Sequence, residues 1–283
     1  MRTHLAAILI LSGAGCSPGF PPPSYVTGLR VLGIKAEPPE LAPGQSSTIS
    51  ALAVDTRGRT ITISWSQCLA APVKGQAINP ECFSADMSGQ DVLQSVGDGL
   101  MLNYVMPSVS ANSLGLPDAS GGRYVPLRAD ARAGADTVFG SYRVRLAGQG
   151  PANHNPTLTG IYVVPAGFDM GISDGGAEPG VMALAAAMPL VVHASDKITL
   201  RGQFTADSAE SYYAGGQRET EILTIAWFAS AGTFTNDVTG TTTNTTLTLD
   251  QNLPSSGSAI DLWIVGRDER GGTDYLHRTL RLQ

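Results

Sequence analysis

Thr62-Ile63-Ser64-Trp65 and Thr224-Ile225-Ala226-Trp227 decide how this chain is read. Each alternates polar and apolar residues with the period of two that marks a half-buried strand, and each places its tryptophan in phase with the apolar set. Flanking them in the same order are two further echoes. Thr27-Gly28-Leu29-Arg30-Val31 matches Thr159-Gly160-Ile161-Tyr162-Val163, and Asp130-Ala131-Arg132-Ala133-Gly134-Ala135-Asp136 matches Asp268-Glu269-Arg270-Gly271-Gly272-Thr273-Asp274. The chain is therefore a tandem repeat. The tryptophan pair is spaced more widely than the outer pairs, so the second copy carries an insertion before its tryptophan, at 206–219.

The remaining alternation is also of strand type. It runs over 47–54, 60–65 and 142–146 in the first copy, and over 198–204, 222–228, 245–249, 260–265 and 276–282 in the second. No comparable window carries a helical stripe; the Ala-rich 181–188 comes nearest. Short strands separated by Gly/Pro/Asn/Asp turns, with one tryptophan on a central strand of each copy, predict an all-β chain of two tandem immunoglobulin-like β-sandwiches. The boundary falls at Asn153-His154-Asn155-Pro156, giving sandwiches at 25–155 and 156–283. A junction this short predicts end-to-end stacking.

The chain has 283 residues and a net charge of −6. An acidic balance excludes a nucleic-acid role, which needs Lys and Arg gathered to neutralise phosphates. Histidines are scattered, so no zinc pattern is present, and no Gly-x-Ser-x-Gly elbow, Walker loop or dinucleotide glycine motif occurs. The reading is a non-enzymatic protein without catalytic residues, metal or cofactor.

The beginning of the chain is an address. Met1-Arg2-Thr3-His4 is basic, the apolar 5–11 is far shorter than the roughly 20 residues of a spanning helix, and small residues precede Cys16. Residues 1–15 read as a signal peptide. Gly13-Ala14-Gly15-Cys16 resembles a bacterial lipobox, which implies lipidation of Cys16 and a membrane partner through that anchor. Position 13 departs from the usual Leu or Val, and cleavage after Ala14 is the alternative, leaving a plain thiol. The Pro-rich 16–24 reads as a stiff tether, and Ser17 resembles an outer-membrane sorting signal. The leftover pair, Cys68 and Cys82, reads as a disulfide in an oxidising compartment, with metal binding as the alternative.

Two segments attract a sharper reading. The repeated Asp130, Arg132, Gly134, Asp136 and Asp268, Arg270, Gly272, Asp274 resemble calcium or acid–base sets, but a duplicated hairpin turn explains them better. In it the glycine takes positive φ, the aspartates bond turn amides and the arginine pairs with a carboxylate. The carboxylates of 169–178 read as an insertion loop. Tyr212 and Tyr213, beside Gly215-Gly216 in the insertion, form the candidate binding surface. An enzyme would instead need polar groups converging near His154 and Asp174.

Residues 27–44, followed by strands ending in Trp65 and a nearby Cys68, resemble the opening of surface lipoproteins common in myxobacteria. The closing 262–272 is similar to their final hairpin. The resemblance implies an envelope lipoprotein with tandem immunoglobulin-like domains and no assigned function. The expected function is a structural or protein-interaction module on the bacterial cell envelope at the outer membrane. The alternative is an adhesin that binds carbohydrate or protein through the second sandwich.

Overall fold

The computed structural model describes residues 22–283 apart from 69, 71, 72, 74–78, 84–91, 109–113, 115, 149 and 166–180. The predicted signal peptide, Cys16, most of the tether, and the 169–178 loop with Asp174 lie outside the described residues.

The first sandwich pairs one sheet of order β1-β3-β6 with another of order β2-β8-β7-β4-β5. Its strands are β1 (Leu29–Glu37), β2 (Glu40–Leu41), β3 (Ser46–Asp55), β4 (Thr62–Cys68), β5 (Leu93–Asp98), β6 (Met101–Val105), β7 (Arg123–Ala133) and β8 (Asp136–Leu146). The second contains β9 (Leu158–Val163), β10 (Met182–Ala183), β11 (Leu190–Val192), β12 (Lys197–Phe204), β13 (Ser211–Ala214) and β14 (Gln217–Thr220). It continues with β15 (Thr224–Ala229), β16 (Thr233–Phe234), β17 (Val238–Gly240), β18 (Thr245–Thr248), β19 (Ala259–Arg267) and β20 (Thr273–Leu282). Its sheets run β10-β9-β12-β18-β16 and β11-β20-β19-β15-β17, with β13-β14 a separate hairpin. Among the described residues the topology repeats except for β10 and β16, which flank one sheet of the second copy alone; a short strand pairs in parallel with the last strand of each copy, β2 on β8 and β11 on β20. The segment 181–188 forms no helix; β10 pairs with β9 there.

Alternation produces the two cores. In β15 every second residue is buried, as Ile225, Trp227 and Ala229, and in β4 the pattern places Ile63 and Trp65 inward. Trp65 and Trp227 are completely buried, and each indole N–H is satisfied. Trp65 Nε1 donates to Gly99 O (2.7 Å) and Trp227 Nε1 to Thr239 Oγ1 (2.9 Å). A buried ring without such a bond would leave a polar group stranded. The first core draws on Leu29 to Val144 and the second on Leu158 to Leu282, with no residue shared. Cys68, at the end of β4, is disulfide-bonded to Cys82 in a 3-10 turn (Pro80–Phe83), with the Cα atoms 5.5 Å apart.

The sandwiches do not stack end to end. A third apolar cluster joins the outer face of the β1-β3-β6 sheet to the outer face of β19, β20 and β15: Val26, Leu32, Leu52 and Val54 meet Trp263, Val265, Phe228 and Tyr275. The physical reason is that both β1 and β19 are apolar on both faces, so each has a second surface to remove from water. Polar contacts frame this seam. Lys35 Nζ lies 3.1 Å from Asp274 Oδ1, the Ser50 and Tyr275 hydroxyls are 3.0 Å apart, and Arg267 Nη2 donates to Leu32 O (3.2 Å). Ahead of β1, Val26 N donates to Ala229 O and Ala229 N to Ser24 O, both at 2.9 Å, so the N-terminal approach is bridged to the end of β15 in the second sandwich.

Candidate functional site

Where the sandwiches meet beside the seam, polar side chains converge. The organising element is the 268–272 loop between β19 and β20. Asp268 Oδ1 accepts the backbone N–H groups of Arg270 and Gly272, both at 2.8 Å. Gly271 takes φ +105°, and a Cβ on Gly272 would lie 2.1 Å from Asp268 Oδ2. The knot turns Arg270 back onto the second sandwich. There its Nε donates to Glu221 Oε1 (2.6 Å), its Nη2 donates to Glu210 Oε2 (2.9 Å), and its guanidinium covers the Tyr212 ring at 5.1 Å. Tyr212 in turn donates its hydroxyl proton to Glu269 Oε1 (2.6 Å), and His154 Nδ1 lies 2.6 Å from Glu210 Oε1.

The first sandwich presents a matching cluster around Arg145, whose side chain is only 4% exposed. Arg145 Nε donates to Glu40 Oε2 (2.9 Å), its Nη1 to Asp118 and to the Tyr124 hydroxyl, and its Nη2 to Ser120 Oγ (2.9 Å). Asn153 links the clusters: its N–H donates to Glu40 Oε2 (3.0 Å) and its Nδ2 to Asp268 Oδ2 (3.3 Å). Its Oδ1 is buried without a partner. Tyr142 donates to Gly271 O (3.0 Å), and Asn155 joins Ala36 O to the N–H of Thr273.

Burial pushes the carboxyls upward and their partners decide the outcome. Burial raises Asp118, but hydrogen bonds from Tyr124, Ser120 and the Gly122 N–H, with the charge on Arg145, outweigh it and hold the group at about 2. At Asp268 burial dominates, and the carboxyl stays above its ordinary value despite the loop amides. Glu221 is likewise raised by burial, with Arg270 opposing. The hydrogen bond to Glu269 lifts the Tyr212 phenol to about 12. Chemically the site is two sets of charges, each engaged within its own sandwich and joined through Asn153, an arrangement that fixes geometry. Among the described residues no group of three or more His, Cys, Asp or Glu is placed to hold a metal ion.

The candidate residues scatter over these features. Tyr212 is buried beneath Arg270 and does not form the binding surface read from the sequence, because strand alternation in β13 turns it inward; Tyr213 faces outward at 64% exposure. The insertion is the β13-β14 hairpin, closed by Gly215 and Gly216 at φ +58° and +85°, as a tight two-residue turn requires. The duplicated aspartate motif lies at the corresponding hairpin of each copy, β7-β8 and β19-β20, but in different registers. Trp65 pairs with Ala129 and Trp227 with Ile264, which sets Asp130 opposite Phe139 within β7 while Asp268 lies beyond the end of β19. Asp130 holds Arg128, and Asp136 meets Arg57 and Arg59 at 2.9 and 2.7 Å. Arg132 is exposed and Gly134 takes φ +60° in the turn, whereas Gly272 has no positive φ. Asp274 bonds Lys35 and the N–H of Leu158. Sequence reasoning missed Glu40, Arg145, Asn153 and Glu221, which stand singly in the chain. Asp118-Ala119-Ser120-Gly121-Gly122 alone carried a signal, as an Asx-type turn.

No family model matches the chain, and no curated protein matches it. Among solved structures it is similar to a chimeric titin Z1Z2 carrying an exogenous decorin peptide, with 8% identity and TM-score 0.22 over 91% of this chain and 98% of that one. It is also similar to three N-terminal domains of the outer capsid protein Hoc of bacteriophage RB49 (10%, TM-score 0.24, 90% and 59%). A third is Drosophila N-cadherin EC1-4 (9%, TM-score 0.21, 89% and 49%).

Proposed function

We propose that the protein is a non-enzymatic envelope lipoprotein, held at the bacterial outer membrane through Cys16, that serves as a rigid structural or protein-interaction module. The observation that carries the module reading is the junction: Lys35 with Asp274, Tyr142 with Gly271 O, and Asn153 and Asn155 bond one sandwich to the other, while Arg145 and Arg270 each brace their own side. A protein whose two domains are bonded at one angle is suited to presenting a surface. The lipobox-like start and Pro-rich tether support the anchor. Metabolic labelling with palmitate tests it: label on the wild type and none on Cys16→Ser is expected, and equal labelling of both overturns the anchor.

A second reading, an adhesin using the second sandwich, draws support from Tyr213 on the β13-β14 hairpin and Ile222 just after it, 64% and 66% exposed. Their replacement by alanine is expected to reduce capture of envelope partners while leaving the melting temperature unchanged. Unchanged capture removes this reading.

A further inference from the structure

The internal repeat shows how short one connection of the sandwich can be. In the first copy the step from β1 to the parallel strand β2 takes two residues, Pro38 and Pro39; in the second copy the same step, from β9 to β11, takes residues 164–189. The fold does not require the extra length, and an insertion on a fixed scaffold is a common carrier of a contact surface. The insertion leads into an unbroken apolar run, 181–192, without one polar side chain. Leu184 and Val192 enter the second core and Leu190 packs against it. Between them Ala185-Ala186-Ala187-Met188-Pro189 is exposed at every position, Met188 to 76%, and Met182 and Val191 on either side are 47% and 43% exposed. Apolar surface gathered in this way marks a contact.

Two arginines border the run. Arg278 Nε donates to Leu184 O and its Nη1 to His277 O, both at 2.7 Å, and Arg281 is exposed directly opposite Val191. Among the described residues neither guanidinium meets a carboxylate; Asp261 of β19 is engaged by His277 Nε2 at 2.8 Å. The strand register ties the run to the N-terminal approach. Ser24 bonds Ala229, Ala229 pairs with Leu262 and Leu262 with Arg278, three strand spacings that put Ser24 about 15 Å from the arginine. A tether of the length of 17–23, extended at about 3 Å per residue, spans roughly 20 Å. A lipid on Cys16 and the apolar run can therefore reach one bilayer surface together.

We propose that the run 181–192, flanked by Arg278 and Arg281, rests on the phospholipid surface that holds the anchor, with the 185–189 tip in the boundary between headgroups and acyl chains and the two guanidiniums on headgroup phosphates. This rests on the reading of Cys16 as a lipid anchor. The occupant is lipid rather than protein because the tip carries no aromatic ring and no hydrogen-bonding side chain, the groups that give a protein partner its grip. An apolar tip with arginines at its rim instead matches a headgroup boundary. Such a contact is weak for a free molecule; tethering raises its effective concentration and keeps it occupied. It fixes the orientation in which the molecule stands on its membrane.

The test couples the chain from Cys16 onward, through the Cys16 thiol, to maleimide-bearing phospholipid in phosphatidylethanolamine–phosphatidylglycerol vesicles, with Cys68 and Cys82 held in their disulfide, and follows hydrogen exchange by mass spectrometry. The expected result is slower exchange over 183–191 on vesicles than in solution, lost in Met188→Asp and reduced in Arg281→Gln, while exchange at the β13-β14 hairpin and the melting temperature of both variants stay unchanged. Three results would overturn the proposal: equal exchange over 183–191 on vesicles and in solution, equal slowing in the wild type and Met188→Asp, or slowing in solution that grows with protein concentration, which makes a second copy the occupant. The two failures are told apart, because the coupling supplies attachment chemically: unchanged exchange strikes this surface, whereas the palmitate label reports on the anchor.

Discussion

Gly33 of β1 lies directly beneath Val265 of β19: a Cβ on Gly33 would sit 3.0 Å from Val265 Cγ1 and 3.2 Å from Cγ2. The glycine is held by proximity between two domains, since its φ is ordinary. Gly33→Leu is therefore expected to pry the seam open at a cost of about 1–3 kcal/mol. Calorimetry is the measurement: a lowered or split thermal transition is expected, and an unchanged one counts against the close contact.

Arg270 and Glu221 form the most deeply buried ion pair of the junction, with side chains 3% and 0% exposed. Removing one partner strands a buried charge, so Arg270→Ala should cost about 3–5 kcal/mol in urea unfolding. The paired change Arg270→Met with Glu221→Leu should recover most of that loss, because no deeply buried charge is left alone; Glu210, which also loses Arg270, is partly exposed and keeps its contact with His154. A double variant as unstable as the single one would contradict this account.

Asp118 sets an acid limit. Its folded-state pKa of about 2 lies below the ordinary 3.8, so its stabilisation is present above about pH 4 and is lost as pH falls toward 2. Glu221 and Asp268, raised by burial, act in the opposite sense and gain as they protonate. Melting temperature measured from pH 5 to 2 should fall less steeply in Asp118→Asn than in the wild type; parallel curves would remove Asp118 from the explanation.

The Cys68–Cys82 disulfide closes a loop of sequence separation 14. Replacing both cysteines by serine should lower unfolding stability by about 3 kcal/mol, the loop-closure estimate for this length. The same loss should follow reduction of the wild type, and reductant should leave the serine variant unchanged.

Much of the fold was legible because alternation is a local property. Thr-Ile-x-Trp placed both core tryptophans on corresponding strands, whereas Gly215-Gly216, read only as part of an inserted loop, closes a hairpin. The seam was harder to read, although Leu262-Trp263-Ile264-Val265 is a continuous apolar run, which a strand buried on both faces requires. The aspartate motif misled because a similar string serves two different connections: a Gly134-Ala135 turn closing β7 onto β8, and the longer 268–272 loop after β19. The junction was illegible for another reason. Arg270 finds Glu221 and Glu210 at 49 and 60 residues' separation, and Arg145 finds Glu40 at 105. No spacing rule connects residues that only the folding of each sandwich brings together.

The bonds between Ser24, Val26 and Ala229 bear on how the molecule carries load. Tension applied at Pro23 is met on two sides at once: by the backbone bonds of Ser24 and Val26 to Ala229 at the end of β15, and by Arg30 at the start of β1, which holds Pro23 O at 2.6 Å. The Tyr25–Ala229 bridge is parallel, so a pull along it strains its two backbone bonds together, in shear. The two sandwiches thus receive a tug as one body, and whatever the chain holds at its far surface is loaded through both.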